Sequence, residues 1–157
     1  MEIIFYLFLF IFGVILAVFL LTVFFGAPYV PTHKKELIKL FEKLKLSKND
    51  ILADIGSGDG VVLKTASNFS AESIGFEINP FLVLISKIRL RNSKNTQIYF
   101  RNFWHVFPIE KMLKLAQIQA NHQKTDLLFI SYGFEIKNLK PFKIYGAHFV
   151  YKINPKK

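Results

Sequence analysis

The sequence predicts an α/β protein: a mostly parallel sheet of about five strands in the order 3-2-1-4-5, carried behind an N-terminal transmembrane helix. Three observations lead there. An uncharged apolar run fills the start of the chain, short apolar stretches then alternate with amphipathic ones, and a glycine-rich turn joins the first such pair.

A length of 157 residues suits one domain with an appendage. Lys and Arg number 21 against 11 Asp and Glu, a formal charge of +10, and cysteine is absent. That excludes a disulfide framework, a thiolate zinc site and a cysteine nucleophile. The chain is 52% hydrophobic with an ordinary 20% of charged residues, so its apolar residues must be concentrated somewhere.

They gather at the beginning. Ile3 to Phe25 is 23 residues long, and 19 of them are Leu, Ile, Phe or Val. As a helix this run spans roughly 34 Å, against a hydrocarbon layer of about 30 Å. Insertion is favourable by about 6 to 11 kcal/mol. A cleaved signal peptide needs a basic start and a shorter run; here Met1-Glu2 precedes a long one, which favours a retained anchor. Lys34, Lys35, Lys39, Lys43 and Lys45 follow it, so the positive-inside rule turns the remainder toward the cytoplasm. The expectation is a single-pass membrane protein whose partners include the lipid bilayer.

Gly26 to Pro31 reads as a hinge, since two prolines end the helix and hold an extended segment. Thr32 can cap a helix from His33 to about Leu46, with Leu37, Ile38, Phe41 and Leu44 inward and the lysines wet. Beside a bilayer each lysine adds about 1 kcal/mol of attraction to anionic lipid; an ordinary solvated face is the alternative. After the turn Ser47 to Asp50, strands are expected at Ile51–Ile55, Ser73–Ile78, Gln97–Arg101, Asp126–Ser131 and Ala147–Ile153. Helices fall between them at Gly60–Ser67, Pro80–Arg91 and Pro108–Asn121, with a helical turn at Glu135–Leu139. Alternation of this kind implies right-handed crossovers and a mostly parallel sheet. Asn154-Pro155-Lys156-Lys157 has the residue types that protect an exposed strand edge, which makes the last strand an edge strand.

The chemistry lies in Asp54-Ile55-Gly56-Ser57-Gly58-Asp59-Gly60. Glycines let the backbone turn sharply and let a ligand approach, and the carboxyl end of a strand in an open parallel sheet is where nucleotide-like ligands bind. A dinucleotide fingerprint requires a third glycine at position 61, which is Val61, and no Gly-Lys-Ser/Thr follows to make a phosphate loop. The D-x-G-x-G-x-G pattern is instead that of class I S-adenosylmethionine-dependent methyltransferases. Glu77 ends the second strand, where a carboxylate can accept from both ribose hydroxyls.

With Pro28-Tyr29-Val30-Pro31-Thr32, the glycine motif, and Gly75 to Leu84 (GFEINPFLVL) read together, the chain resembles the membrane-anchored lysine N-methyltransferases. That family modifies the c-ring protein of ATP synthase and the adenine nucleotide translocase and has bacterial members. The resemblance covers about residues 1 to 104. It implies a shortened Rossmann-like class I methyltransferase sheet, S-adenosylmethionine as cofactor, no metal, and a lysine of a membrane-associated protein as substrate. Residues 1–26 are then the anchor, 27–50 a linker with a helix ahead of the motif, and 51–157 the cofactor-binding methyltransferase domain. Asp54, Gly56, Ser57, Gly58 and Gly60 would line the methionine and ribose, Glu77 would hold the ribose, and Ile78 and Asn79 would border the adenine. Tyr29 and Thr32 are candidate contacts from a cover over the pocket.

The family has an acid two residues before a Trp near the adenine amino group. Here Asn102 precedes Phe103 and Trp104, so an amide replaces the acid and loses its charge; Asn102 and Phe103 remain candidate cofactor contacts. The family's substrate segment F-G-V-P-Q-M-M is Ser131-Tyr132-Gly133-Phe134 here, and Tyr132 is the candidate substrate contact. The final two strands usual in class I are not seen. Methyl transfer is an in-line displacement that depends mainly on positioning, and a lysine nucleophile must first lose a proton.

His33, His105, His122 and His148 lack metal spacing and read as surface or interface residues. Lys87, Arg89, Arg91 and Lys94 read as a solvated helix end rather than a nucleic-acid patch. Two alternatives stay open on this scaffold: a membrane-tethered binding protein without turnover, and a methyltransferase of small molecules or RNA.

Overall fold

The computed structural model describes residues 2–25, 32–101 and 109–156, and within the first helix the side chains of 2–17 and 20. In chain order the elements are α1 (Glu2–Phe25), α2 (Lys34–Leu44), β1 (Ile51–Ile55), α3 (Val61–Ser67), β2 (Glu72–Glu77), α4 (Pro80–Leu90), β3 (Thr96–Phe100), α5 (Ile109–Gln123), β4 (Leu127–Tyr132), β5 (Lys143–Tyr145) and β6 (His148–Ile153). They form two compact units, residues 1–104 and 105–157.

α1 is one continuous helix of 24 residues. Among the described residues no helix is long and apolar enough to cross a membrane. The unbroken run of described side chains in α1, residues 2–17, covers only about 24 Å at 1.5 Å per residue. The transmembrane expectation therefore goes unmet within the described residues.

In the first unit, β2 lies between β1 and β3, parallel to both. Each crossover carries a helix, as parallel neighbours require. Leu37, Leu40 and Phe41 of α2, Leu63 and Ala66 of α3, and Val83 and Leu90 of α4 are buried, and Phe41 meets Phe69 edge-on at 5.8 Å. The stripe of α2 thus runs through Leu40, while Ile38 and Leu44 stay half-buried. Thr32 does not cap α2. His33 holds the N-cap position without a side-chain hydrogen bond, and Lys45 closes the helix in the left-handed conformation.

The second unit corrects the predicted topology. Its strands form a separate antiparallel sheet in the order β4-β6-β5, so the 3-2-1 part of the predicted order holds in the first unit while the parallel continuation 4-5 in the same sheet does not. A two-residue connection, Gly146-Ala147, joins β5 to β6, with Gly146 at φ 56°. A link that short can only make a hairpin. β6 is consequently the middle strand, and the edge-strand reading of the tail is wrong. The tail instead runs along α5: Gln117 Nε2 donates to the Asn154 carbonyl at 2.7 Å, and Lys156 N donates to Asn121 Oδ1 at 2.7 Å. Residues 135–139 make a turn, with Leu139 N donating to the Ile136 carbonyl at 3.3 Å, rather than a helix. One core cluster of this unit is Ala116, Ala120 and Ile153, with Leu113, Leu127 and Phe129 against them, and Ile136, Val150 and Tyr151 are buried as well.

Candidate functional site

Asp54 lies one residue from the end of β1, paired in register with Gly75 of β2. The turn that follows takes left-handed backbone three times, at Gly56 (φ 82°), Gly58 (φ 54°) and Gly60 (φ 77°). Side chains are strained in that region. At Gly60 space forbids one as well, because a Cβ would meet Ser86 Oγ at 2.6 Å.

The N–H groups of this turn are engaged within the protein. Gly56 N and Ser57 N donate to the Phe76 carbonyl at 2.8 and 3.0 Å, and Gly60 N donates to the Ser57 carbonyl at 2.9 Å. Gly58 N donates to Glu77 Oε2 at 2.8 Å. A phosphate cradle needs such groups aimed at its ligand. These four are not available for that role.

Glu77 is only 6% exposed. Besides Gly58 N, its carboxylate accepts from Ile78 N at 2.8 Å and Asn79 N at 2.7 Å, both on Oε1. A carboxylate offers about four lone-pair positions. Three are filled by backbone N–H groups, which leaves one open. Its first task is to tie the glycine turn to the start of α4.

Asp54 is its opposite. The residue is half-buried, but its Oδ2 is shut off from solvent and has no hydrogen-bond partner among the described residues; the same holds for Ser57 Oγ. Burial, and secondly the negative charge of Glu77, push the Asp54 carboxyl from 3.8 up to about 7. A cation placed beside it would reverse that shift. The site therefore offers acceptors, Asp54 Oδ2 and one position on Glu77, and few free donors. It fits a ligand that carries positive charge and hydroxyl donors.

Three residues that the sequence reading did not assign to the site support the turn. Ser86, fully buried on α4, donates to the Gly58 carbonyl at 3.0 Å. Arg89 pairs with Asp59 at 2.8 Å. Gly75 leaves room for Leu63 and Ser57, whose Oγ would lie 2.8 Å from an added Cβ. The signals were present: a glycine inside a strand marks a close approach, and Ser86 is the polar residue among the buried positions of α4. Asn79 is buried and caps α4, its Oδ1 accepting from Phe81 N at 2.9 Å, so that oxygen is already in use. Ile78 and Thr32 are half-buried.

Tyr29, Asn102, Phe103 and Trp104 lie outside the described residues. Tyr132 belongs to the other unit, where its ring rests on His148 at 4.7 Å. His148 itself is buried, against the surface reading. Cavities of about 340 Å³, walled by Lys48, Glu72 and Lys94, and about 480 Å³, walled by Lys87, Arg91 and Tyr99, touch neither Asp54 nor Glu77. Among the described residues no cluster of His, Asp or Glu could hold a metal ion.

A solved RNA methyltransferase of Salinibacter ruber, in complex with S-adenosyl-L-homocysteine, matches with a TM-score of 0.60 and 20% identity over 82% of this chain and 95% of that one. The fold is the Rossmann-like methyltransferase fold. An ATP synthase subunit-C lysine N-methyltransferase of Xenopus laevis is 30% identical over 133 residues, 76% of this chain. The chain resembles that family. A protein-lysine N-methyltransferase of Saccharolobus islandicus is 41% identical over 54 residues, a third of this chain (33%). The chain spans 58% of the Xenopus relative's length and 34% of the Saccharolobus one's. No protein-family model matches it.

Proposed function

We propose that the chain is an S-adenosylmethionine-dependent methyltransferase that modifies a lysine side chain of a protein at a membrane. The observation that carries the reading is the contrast at the glycine turn: four of its N–H groups are occupied, while Asp54 Oδ2 is buried with no hydrogen-bond partner among the described residues. That combination disfavours phosphate and suits a sulfonium nucleoside with an ammonium group. The names of the relatives from Xenopus and Saccharolobus support lysine as the acceptor.

Bound S-adenosylmethionine supplies an electrophilic methyl group for in-line displacement. Asp54 pairs with positive charge as it ionises, Glu77 accepts from a ribose hydroxyl with its remaining position, and the turn shapes the floor of the site. The acceptor lysine gives its proton to solvent before it attacks, and a water-poor environment that lowers its pKa favours that loss. Residues 51–157 form the methyltransferase domain in this reading.

α1 is the anchor, spanning once with the domain on the cytoplasmic side. Supporting this are its unbroken 24-residue length, the absence of Asp, Glu, Lys and Arg between Glu2 and Lys34, and the exposure of its described side chains. The decisive experiment incubates the reconstituted chain with tritium-labelled S-adenosylmethionine and membrane extracts, then hydrolyses the labelled protein. Label in methyl-lysine is the expected result. Cofactor binding without any transfer means a binding protein, and label in RNA means a different substrate class; either overturns the proposal.

A further inference from the structure

α4 has two apolar faces, one packed on its own unit and one exposed among the described residues. Val83, Ser86 and Leu90 point inward and are buried. On the opposite side Phe81, Leu84, Ile85 and Ile88 are 38%, 57%, 45% and 60% exposed. Their spacing, i, i+3, i+4 and i+7, makes one continuous stripe, and α4 runs unbroken from Pro80 to Leu90. A stripe of four large apolar side chains in water requires an explanation.

The charges around it indicate what covers it. At 100° per residue Lys87 and Arg91 fall on one flank of the stripe and Arg89 on the other, the last fixed by Asp59. The helix contains no Asp or Glu. An apolar band with cations on both borders is the pattern of a helix lying in a membrane surface, where long basic side chains reach up to the headgroups. A second copy of the same face would bring its cations against these, so self-association is disfavoured. We infer that the outer face of α4 docks on an anionic lipid surface, holding the first unit against the bilayer.

The inference extends the membrane reading, from which it takes the tether. Eight residues, 26 to 33, join α1 to α2. Such a length reaches about 28 Å at most, so weak surface attraction is enough at the resulting effective concentration. Docking would keep the glycine turn, which precedes α3 and is tied to α4 through Ser86 and Arg89, near membrane-embedded acceptors.

The chain has no cysteine, which allows single-site spin labelling of the full-length protein. Labels go at Ile88→Cys on the stripe, Phe12→Cys in α1, and Asn68→Cys as an exposed control at the end of α3. They are read in vesicles of phosphatidylcholine alone or mixed with phosphatidylglycerol. The expected result is a residue-88 label about 5 to 10 Å below the headgroups in anionic vesicles, with the residue-68 label in water. The double substitution Lys87→Glu with Arg91→Glu should lower the docked fraction by about tenfold or more. Hydrogen exchange of α4 in the unlabelled chain, with and without anionic vesicles, gives a readout free of substitution; slower exchange is expected. A residue-88 label in water beside a buried residue-12 label overturns docking and leaves the anchor standing. A buried residue-88 label beside a wet residue-12 label overturns the anchor alone. Spin–spin broadening between residue-88 labels without lipid means that a second copy covers the stripe, and docking on lipid is wrong.

Discussion

The ends of β1 and β2 lie side by side, and each carries a carboxylate in a buried setting, yet the two do opposite things. Glu77 accepts three backbone N–H groups and fixes the glycine turn to α4. Asp54 Oδ2 has no hydrogen-bond partner among the described residues, and burial pushes its carboxyl up to about 7. A satisfied carboxylate serves the fold. One left without a partner among the described residues costs stability in the ligand-free protein, which makes Asp54 a candidate for binding. Sequence position alone assigns both to the ligand; hydrogen bonding separates them.

The sharpest way to break the comparison is Glu77→Ala. Removing an acceptor of three charge-assisted bonds should cost on the order of 4 kcal/mol in denaturant unfolding, and weaken cofactor binding by about a hundredfold. Unchanged stability would mean that the turn does not depend on Glu77. Gly75→Ala comes next: the added Cβ meets Leu63 and Ser57, and overpacking of this kind should lower stability by about 2 kcal/mol.

Asp54→Asn should act in the other direction. Because the folded carboxyl is pushed up from 3.8 to about 7, the fold holds the proton more tightly than the unfolded chain does. Its penalty is absent below about pH 4, grows between about 4 and 7, and is complete above that. The substitution should therefore stabilise the ligand-free chain by about 2 kcal/mol at pH 8 and change little at pH 4. Thermal unfolding at the two pH values checks it, and a loss of stability at pH 8 would contradict the role given to Asp54. The smallest effect belongs to Ser86→Ala, which loses one bond to the Gly58 carbonyl. It should cost about 1 kcal/mol, seen as a modest shift of the unfolding midpoint.

The strand–turn–helix–strand of residues 51–77 could be read from the chain because each step has a local cause. The apolar runs have strand length, three glycines sit where the backbone must be left-handed, and Asn79-Pro80 starts a helix. What Glu77 bonds to could not be read, since its partner Gly58 is 19 residues away and is reached only through the parallel register. The second unit was less legible for a different reason. β5 is three residues long, too short to show alternation, and missing it turned a hairpin into an imagined crossover. The Gly146-Ala147 pair was the available signal. His148 looked like a surface residue because one histidine has no periodicity; its burial follows from its place opposite Tyr132 in the ladder.

The most direct test of the central claim is titration calorimetry with S-adenosylmethionine between about pH 5.5 and 7, below the titration of the ligand's own amine at about 7.7 to 8. Affinity should rise with pH by up to about tenfold per unit. Buffers of different ionisation enthalpy should register a proton released on binding, and Asp54→Asn should abolish both effects. Absence of binding, or an affinity indifferent to pH and to that substitution, would contradict a site built around a buried carboxylate awaiting a cation.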